Sequence, residues 1–199
     1  QQGQTNLREP KPLNFDQRHT FVTSFDYHYG TGKDYNGPVW GGKQVLADAG
    51  FNLVFRAGSG TPYTRQSNIT PTADQLTASR SVISGQLNGS RLPWQFRIDA
   101  RFDKGFTFKS DSRDENRKIY SGQVYVQVLN LLNTRNVSSV YAATGSPDDD
   151  GYITSPGAQT AIQSQINPQS YIDLYEIAVK NLGNYSLPRR IRLGVMFNF

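Results

Sequence analysis

The stretch Leu92-Pro93-Trp94-Gln95-Phe96-Arg97-Ile98-Asp99-Ala100-Arg101-Phe102-Asp103-Lys104-Gly105-Phe106 alternates apolar and polar residues. Successive side chains of a β-strand point to opposite faces, so a period of two reads as a strand. Trp94, Phe96, Ile98, Ala100 and Phe102 share one face, and Gln95, Arg97, Asp99, Arg101 and Asp103 share the other. Five polar positions in a row on one face are costly in a dry core. Facing water, with Arg and Asp pairing across neighbouring strands, they are comfortable. Apolar side chains toward lipid and polar ones toward a lumen are the pattern of a transmembrane barrel strand.

Four more segments of this kind flank it, each near the roughly 9–11 residues that a tilted strand needs to span a bilayer. His19–Tyr29 sets Phe21, Phe25, Tyr27 and Tyr29 against Thr20, Ser24, Asp26 and His28. Val45–Ala57 has an unbroken apolar set at odd positions, with Asp48, Asn52 and Arg56 at even ones. Ile119–Leu132 alternates Tyr120, Val124, Val126 and Val128 with Gln123, Tyr125 and Gln127. Arg189–Phe199 alternates Ile191, Leu193, Val195, Phe197 and Phe199 with Arg190, Arg192, Met196 and Asn198.

A soluble antiparallel sandwich also alternates, but its strands are usually only about 5–6 residues long. The connections here alternate too, as transmembrane barrels require. If the last strand ends in the periplasm, Gly30–Gln44 and Thr107–Lys118 become periplasmic turns, and Ser59–Arg91 and Asn133–Pro188 become long extracellular loops. The expected fold class is therefore all-β, a segment of an antiparallel transmembrane β-barrel. About five strands cannot close, since the smallest single-chain barrels have about 8. An open edge in lipid leaves backbone groups unsatisfied. The chain is expected to be the C-terminal part (1–199) of a larger barrel, completed by other strands; extra strands near Val137–Tyr141 would raise the count. It begins Gln1-Gln2-Gly3, with no basic and apolar leader in view, and so reads as mature, processed or excerpted from a longer chain.

Composition agrees. Hydrophobic residues make up 36% of the chain, and no apolar run approaches the roughly 18 residues of a transmembrane helix. The absence of Cys excludes disulfides and thiolate metal sites. The net charge of +5 is spread along the chain, with Lys and Arg often alternating with Asp, which favours solvated or lumen charges over nucleic-acid binding.

No nucleophile elbow, zinc-protease helix, P-loop or dinucleotide fingerprint occurs. His19 and His28 lie on opposite faces of one strand and cannot share a metal, so no metal or cofactor is expected. The run Ser146-Pro147-Asp148-Asp149-Asp150-Gly151-Tyr152 resembles a calcium loop only superficially: position 12 would be Gly157, so the ligand pattern fails and an exposed acidic turn is expected. Asn167-Pro168 predicts the start of a short loop helix, with Tyr171, Leu174, Tyr175 and Ala178 on one face and Gly183 as its stop. Tyr63, Arg65, Arg91, Tyr141, Asp148 and Tyr152 are the candidate ligand contacts, because outward loops meet cargo first. The bland alternative for all six is ordinary solvated loop.

The chain resembles the C-terminal barrel of TonB-dependent receptors, in the subgroup with a carboxypeptidase-regulatory-like domain. The matching pieces are Phe15-Asp16-Gln17-Arg18-His19-Thr20, Ser59-Gly60-Thr61-Pro62-Tyr63-Thr64, Arg97 to Lys104, Val128-Leu129-Asn130-Leu131-Leu132-Asn133-Thr134-Arg135-Asn136-Val137, Val140-Tyr141 with Thr144-Gly145, and Pro188 to Phe199. The resemblance implies an outer-membrane barrel of about 22 strands around a plug. It also implies energy-coupled uptake of a scarce ligand. The implied partners are the remaining strands and plug, outer-membrane lipid, TonB through the plug, and a surface lipoprotein. No plug or TonB box lies in these residues, so this part would supply wall and loops. Two other functions fit the same sequence. One is a structural or interaction barrel subunit without its own transport. The other, a barrel enzyme using Asp26, His28 and Asp99, is disfavoured because lumen strands carry such residues anyway, so no catalytic residue and no enzyme activity are expected.

Overall fold

The computed structural model describes residues 10–69, 82–109 and 119–198. The strands in chain order are β1 (Thr20–His28), β2 (Val39–Trp40), β3 (Lys43–Gln44), β4 (Ala49–Gly58), β5 (Pro62–Tyr63), β6 (Ser90–Arg91), β7 (Gln95–Lys109), β8 (Ile119–Leu129) and β9 (Arg190–Asn198). Two helices, α1 (Pro156–Gln163) and α2 (Pro168–Val179), lie between β8 and β9. The five long strands form one sheet in the order β1-β4-β7-β8-β9, so each is hydrogen-bonded to its neighbour in sequence among the long strands. The fold is thus a mostly antiparallel β-sheet with few helices, as the alternation predicts. No helix among the described residues is long and apolar enough to cross a membrane.

The chain divides into two compact units. The sheet unit is Phe21–Ala57, Phe96–Thr134 and Pro188–Phe199; the loop unit is Gln1–Thr20, Gly58–Gln95 and Arg135–Leu187. Both long connections fall in the loop unit.

In the sheet unit the register fixes two unlike faces. Phe102, Val126 and Leu193 form one row, and Ala100, Val128 and Ile191 form the next. Arg101, Gln127 and Arg192 form a row on the opposite face, beside the row of Asp103, Tyr125 and Gly194. The apolar face is not covered: Phe21, Phe25, Phe96, Phe102, Ile191, Leu193 and Phe197 are exposed, Leu193 at 74%. Glycine appears where a ring needs room. A Cβ on Gly122 would sit 2.3 Å from the Phe106 ring, and one on Gly194 would sit 2.3 Å from Tyr125.

The polar face carries a series of side-chain bonds. Arg97 donates to Asp99 at 2.7 Å, Arg56 lies 3.7 Å from the same carboxylate, and Arg101 lies 3.4 Å from Asp103. Gln123 donates to Asp103 at 2.7 Å and Asn52 to Asp26 at 3.0 Å. The expected cross-strand pairing holds for Arg56 and Asp99. The other two Arg–Asp pairs lie two residues apart on one strand, because i and i+2 share a face.

Three strands have bounds that differ from expectation by three residues or more. The strand predicted from Val45 begins at Ala49, since Gln44–Ala49 folds into turns with Asp48 at φ 54°. The strand predicted from Leu92 begins at Gln95 and runs on to Lys109. The strand predicted to Leu132 ends at Leu129, where Asn130 and Asn133 adopt left-handed backbone (φ 57° and 54°). Asn tolerates that conformation. The Asn130 side chain accepts from Thr134 N at 2.9 Å, and Asn133 accepts from Arg189 N at 2.9 Å. The segment near Val137–Tyr141 adds no long strand; it makes one bridge, Val137 to Tyr185. The tips of the expected Thr107–Lys118 and Ser59–Arg91 connections (110–118 and 70–81), and Phe199, lie outside the described residues.

The loop unit has its own small core of Leu92, Ala158, Ile162, Tyr175 and Val179. Its first long connection is partly a hairpin. β5 pairs with β6, and Gln66 bridges Ile83 beyond them. The Asn167 cap is as expected, its side chain accepting from Ser170 N at 3.1 Å. α2 stops at Val179, ahead of the expected Gly183, and it buries Tyr175 and Val179, whereas Leu174 and Ala178 are exposed. The buried stripe is thus displaced by about one position from the expected one. α1 lies outside the sequence expectation; Ser155 caps it by accepting from Ala158 N at 3.2 Å.

Candidate functional site

Among the described residues of the loop unit, a 280 Å³ cleft lies between the Asp148–Thr154 turn and one face of α2. The turn is built by its own side chains. Ser146 Oγ accepts from Asp148 N at 3.2 Å, Asp149 Oδ1 from Gly151 N at 2.7 Å, and Asp150 Oδ1 from Tyr152 N at 2.9 Å. Short polar side chains that bond backbone two residues on make such turns without help from a sheet. Gly151 takes the left-handed position at φ 83°.

Asp150 is the anchor. It is 2% exposed, and its second oxygen accepts from the Tyr175 hydroxyl at 2.7 Å. A buried carboxylate needs such partners, because leaving it bare costs more than the bonds return. The expected exposed acidic turn is therefore half right: Asp148 and Asp149 are exposed, and Asp150 is inside. Tyr152 packs against Tyr175 with ring centroids 4.7 Å apart. Ile153, Tyr175 and Val179 give the cleft an apolar lining, and Asp148, Asp149, Glu176 and Lys180 give it charge.

The Tyr185 hydroxyl donates to the Asp148 carboxylate. That bond holds the Tyr185 phenol above its ordinary range, since ionising it would lose the bond and set two negative charges together. Arg135 stacks its guanidinium 4.5 Å from the centre of the same ring.

Of the six sequence candidates, three converge here. Asp148 lines the cleft, Tyr152 packs on Tyr175, and the Tyr141 hydroxyl donates to Val179 O at 2.7 Å. Tyr63 pairs with Ser90 and reaches the Gly145 turn, where a glycine Cβ would lie 2.6 Å from its hydroxyl. Arg91 is ion-paired with Asp16 and also donates to Gly60 O at 3.3 Å, so it clamps the N-terminal segment to the β5–β6 hairpin. Arg65 is exposed on that hairpin's extension. Sequence reasoning missed Asp149, Ile153, Tyr175, Glu176, Val179 and Lys180 as one site.

Among the described residues no three His, Asp or Glu side chains are placed to hold a metal ion. Asp26, His28 and Asp99 are each engaged on the polar sheet face, His28 at 3.2 Å from Asp48. No family model, curated protein or solved structure matches the chain.

Proposed function

We propose that the chain is the C-terminal part of an outer-membrane β-barrel of the TonB-dependent receptor type, supplying barrel wall and ligand-facing loops for energy-coupled uptake. The observation that carries this reading is the two-faced sheet: a largely apolar face with many exposed large side chains, backed by a polar face that carries Arg–Asp pairs. Water would penalise the first face, and a dry core would penalise the second. Lipid outside and a wet lumen inside satisfy both.

The strand count adds a constraint. Five strands in up-and-down order leave β1 and β9 running the same way. An all-antiparallel barrel has an even total, so an odd number of further strands must join these edges. In lipid each unpaired backbone group would cost several kcal/mol, which is the drive to recruit them. On this reading the long connections face outward as loops, and plug, TonB and lipid are the partners.

These 199 residues contain no Cys, so a cysteine introduced among them meets no native thiol here. In the complete barrel reconstituted into vesicles, Cys at Val124, Val126 or Val128 should resist a water-soluble maleimide. Cys at Gln123 or Gln127 should label readily. Uniform labelling along β8 would reject the membrane assignment.

A further inference from the structure

We infer that the Val39–Gln44 hairpin is a membrane-surface anchor, in which Trp40 and Lys43 engage the phosphate layer of the lipid beside the sheet. The stretch 29–48 joins β1 to β4, a connection for which about 2–5 residues would do. The additional residues are built into a braced frame. β2 and β3 pair as a tight hairpin, Val39 with Gln44 and Trp40 with Lys43. Gly41 and Gly42 take its two central positions in left-handed backbone, at φ 55° and 72°, as the tightest hairpin turns require. Gln44 grips Gly32 twice: its side-chain oxygen accepts from Gly32 N at 3.1 Å, and its amide donates to Gly32 O at 2.8 Å. The Tyr35 hydroxyl donates to Pro38 O at 2.6 Å and accepts from Leu46 N at 3.1 Å, which ties the two legs together.

This frame holds large apolar side chains out in the open. Trp40 is 82% exposed and Val39 61%. Residues directly opposite each other on an antiparallel pair share a face. Gln44 turns to Gly32, so Trp40 and Lys43 stand together on the other face of the hairpin.

The surroundings select the partner. On β1 the apolar face passes from Phe21 and Phe25 to Tyr27 and Tyr29 as it nears this connection. β8 begins at the same end of the sheet, and Tyr120 stands there opposite Phe108. Tyr35 carries the row of phenols off the strand: its ring centre lies 6.1 Å from that of Tyr29, which packs edge-on to Tyr27 at 4.9 Å. Asn36 donates to the Tyr27 hydroxyl at 3.0 Å. The hairpin is thus continuous with the apolar face where plain hydrocarbon rings give way to rings with a polar edge. Such rings settle between acyl chains and headgroups, with one end dry and the other wet. An indole N–H beside a Lys ammonium suits lipid phosphate, the Lys stem lying along the apolar layer. The inference rests on the membrane reading of the sheet and adds to it a named contact with the headgroups.

The test uses the complete barrel, with any cysteine elsewhere replaced by serine, in vesicles of equimolar phosphatidylcholine and phosphatidylglycerol. A fluorophore is attached at Val39→Cys, which leaves Trp40 and Lys43 in place, and in a second preparation at Val126→Cys. Lipids carrying a nitroxide on the headgroup, near the acyl carbonyls or near the chain end report depth. The Val39 probe should be quenched most from the headgroup and carbonyl positions, and the Val126 probe more from the chain end than the Val39 probe is. Trp40→Ser combined with Lys43→Gln should lower headgroup quenching of the Val39 probe by about two-fold or more. Both side chains are exposed, so the double variant leaves the packed residues alone. Absence of lipid quenching at Val39, strongest quenching there from the chain end, or an unchanged signal in the double variant would overturn the anchor, while a Val126 probe quenched from lipid leaves the membrane reading standing. A Val126 probe that no lipid quenches would reject the membrane reading itself, and the anchor with it.

Discussion

Asp150 shows how a single residue can hold a loop together. It is almost completely buried, and its two oxygens accept from the Tyr175 hydroxyl and Tyr152 N. Asp150→Ala removes both acceptors and the bond that ties the buried Tyr175 phenol to the turn. Burying an unsatisfied polar group costs about 1–3 kcal/mol. Amide hydrogen exchange in α2 should accelerate accordingly, while β7 and β8 stay protected; unchanged α2 protection would mean that the anchor is dispensable. Tyr185 makes a second residue-level prediction, in pH. Its phenol pKa is raised by the bond to Asp148, so the neutral form is favoured. The contribution is fully present below the ordinary tyrosine pKa of about 10 and is lost as pH rises through the raised value. Asp148→Asn should bring the Tyr185 transition back toward the ordinary range, read as the difference in alkaline ultraviolet titration between that variant and one that also carries Tyr185→Phe. A Tyr185 transition that does not move would show that the bond has no hold on the phenol.

At the scale of elements the two faces of β8 should respond differently to the same change. Val126 sits between Phe102 and Leu193 on the apolar face, and Gln127 sits between Arg101 and Arg192 on the polar one. Under the membrane reading, Val126→Arg places a charge in hydrocarbon at a cost of about 2–4 kcal/mol near the midplane. Gln127→Arg adds one more cation to a hydrated wall and should cost much less. Urea unfolding in lipid vesicles measures both, and equal penalties would sink the assignment of faces. The same alternation made the five strands legible: one position of slip would exchange Val126 for Gln127, so the pattern leaves a single reading. Strand ends were less legible, because Asp48, Asn130 and Asn133 stop strands by adopting left-handed backbone that polar turn residues permit but do not announce. Asn167-Pro168 announced α2. Ser155-Pro156 carries the same signal for α1, but the following Gly157 reads as a turn. The cleft was half legible. The acidic run stood out, yet its meeting with Tyr175, some 25 positions later, is a tertiary event that no period encodes.

At the scale of the whole molecule the two units expose different kinds of surface. The loop unit buries Ala158, Ile162, Tyr175 and Val179 in a core of its own, where Tyr141 and Asn184 donate to the backbone of Val179 and Pro147. Among the described residues of the sheet unit the fully buried apolar ones are small, Ala49 and Ala57, while many large ones are exposed, Phe197 at 66% and Ile191 at 69% among them. At about 25 cal/mol for each Å² of apolar surface, a face lined by so many large side chains is a heavy load for water to carry. Exposed edges at β1 and β9 add a template for pairing with other chains. Placed in detergent-free buffer, the chain should therefore associate, and in sedimentation it should run as large species that bind a hydrophobic dye. Adding detergent above its micelle concentration should disperse them and release the dye. The loop unit should be indifferent to this transfer, with exchange protection in α1 and α2 the same in both states. A compact monomer in plain buffer with Phe102, Leu193 and Phe197 protected from solvent would mean that the sheet folds onto a partner surface of its own, and the case for lipid on that face would be lost.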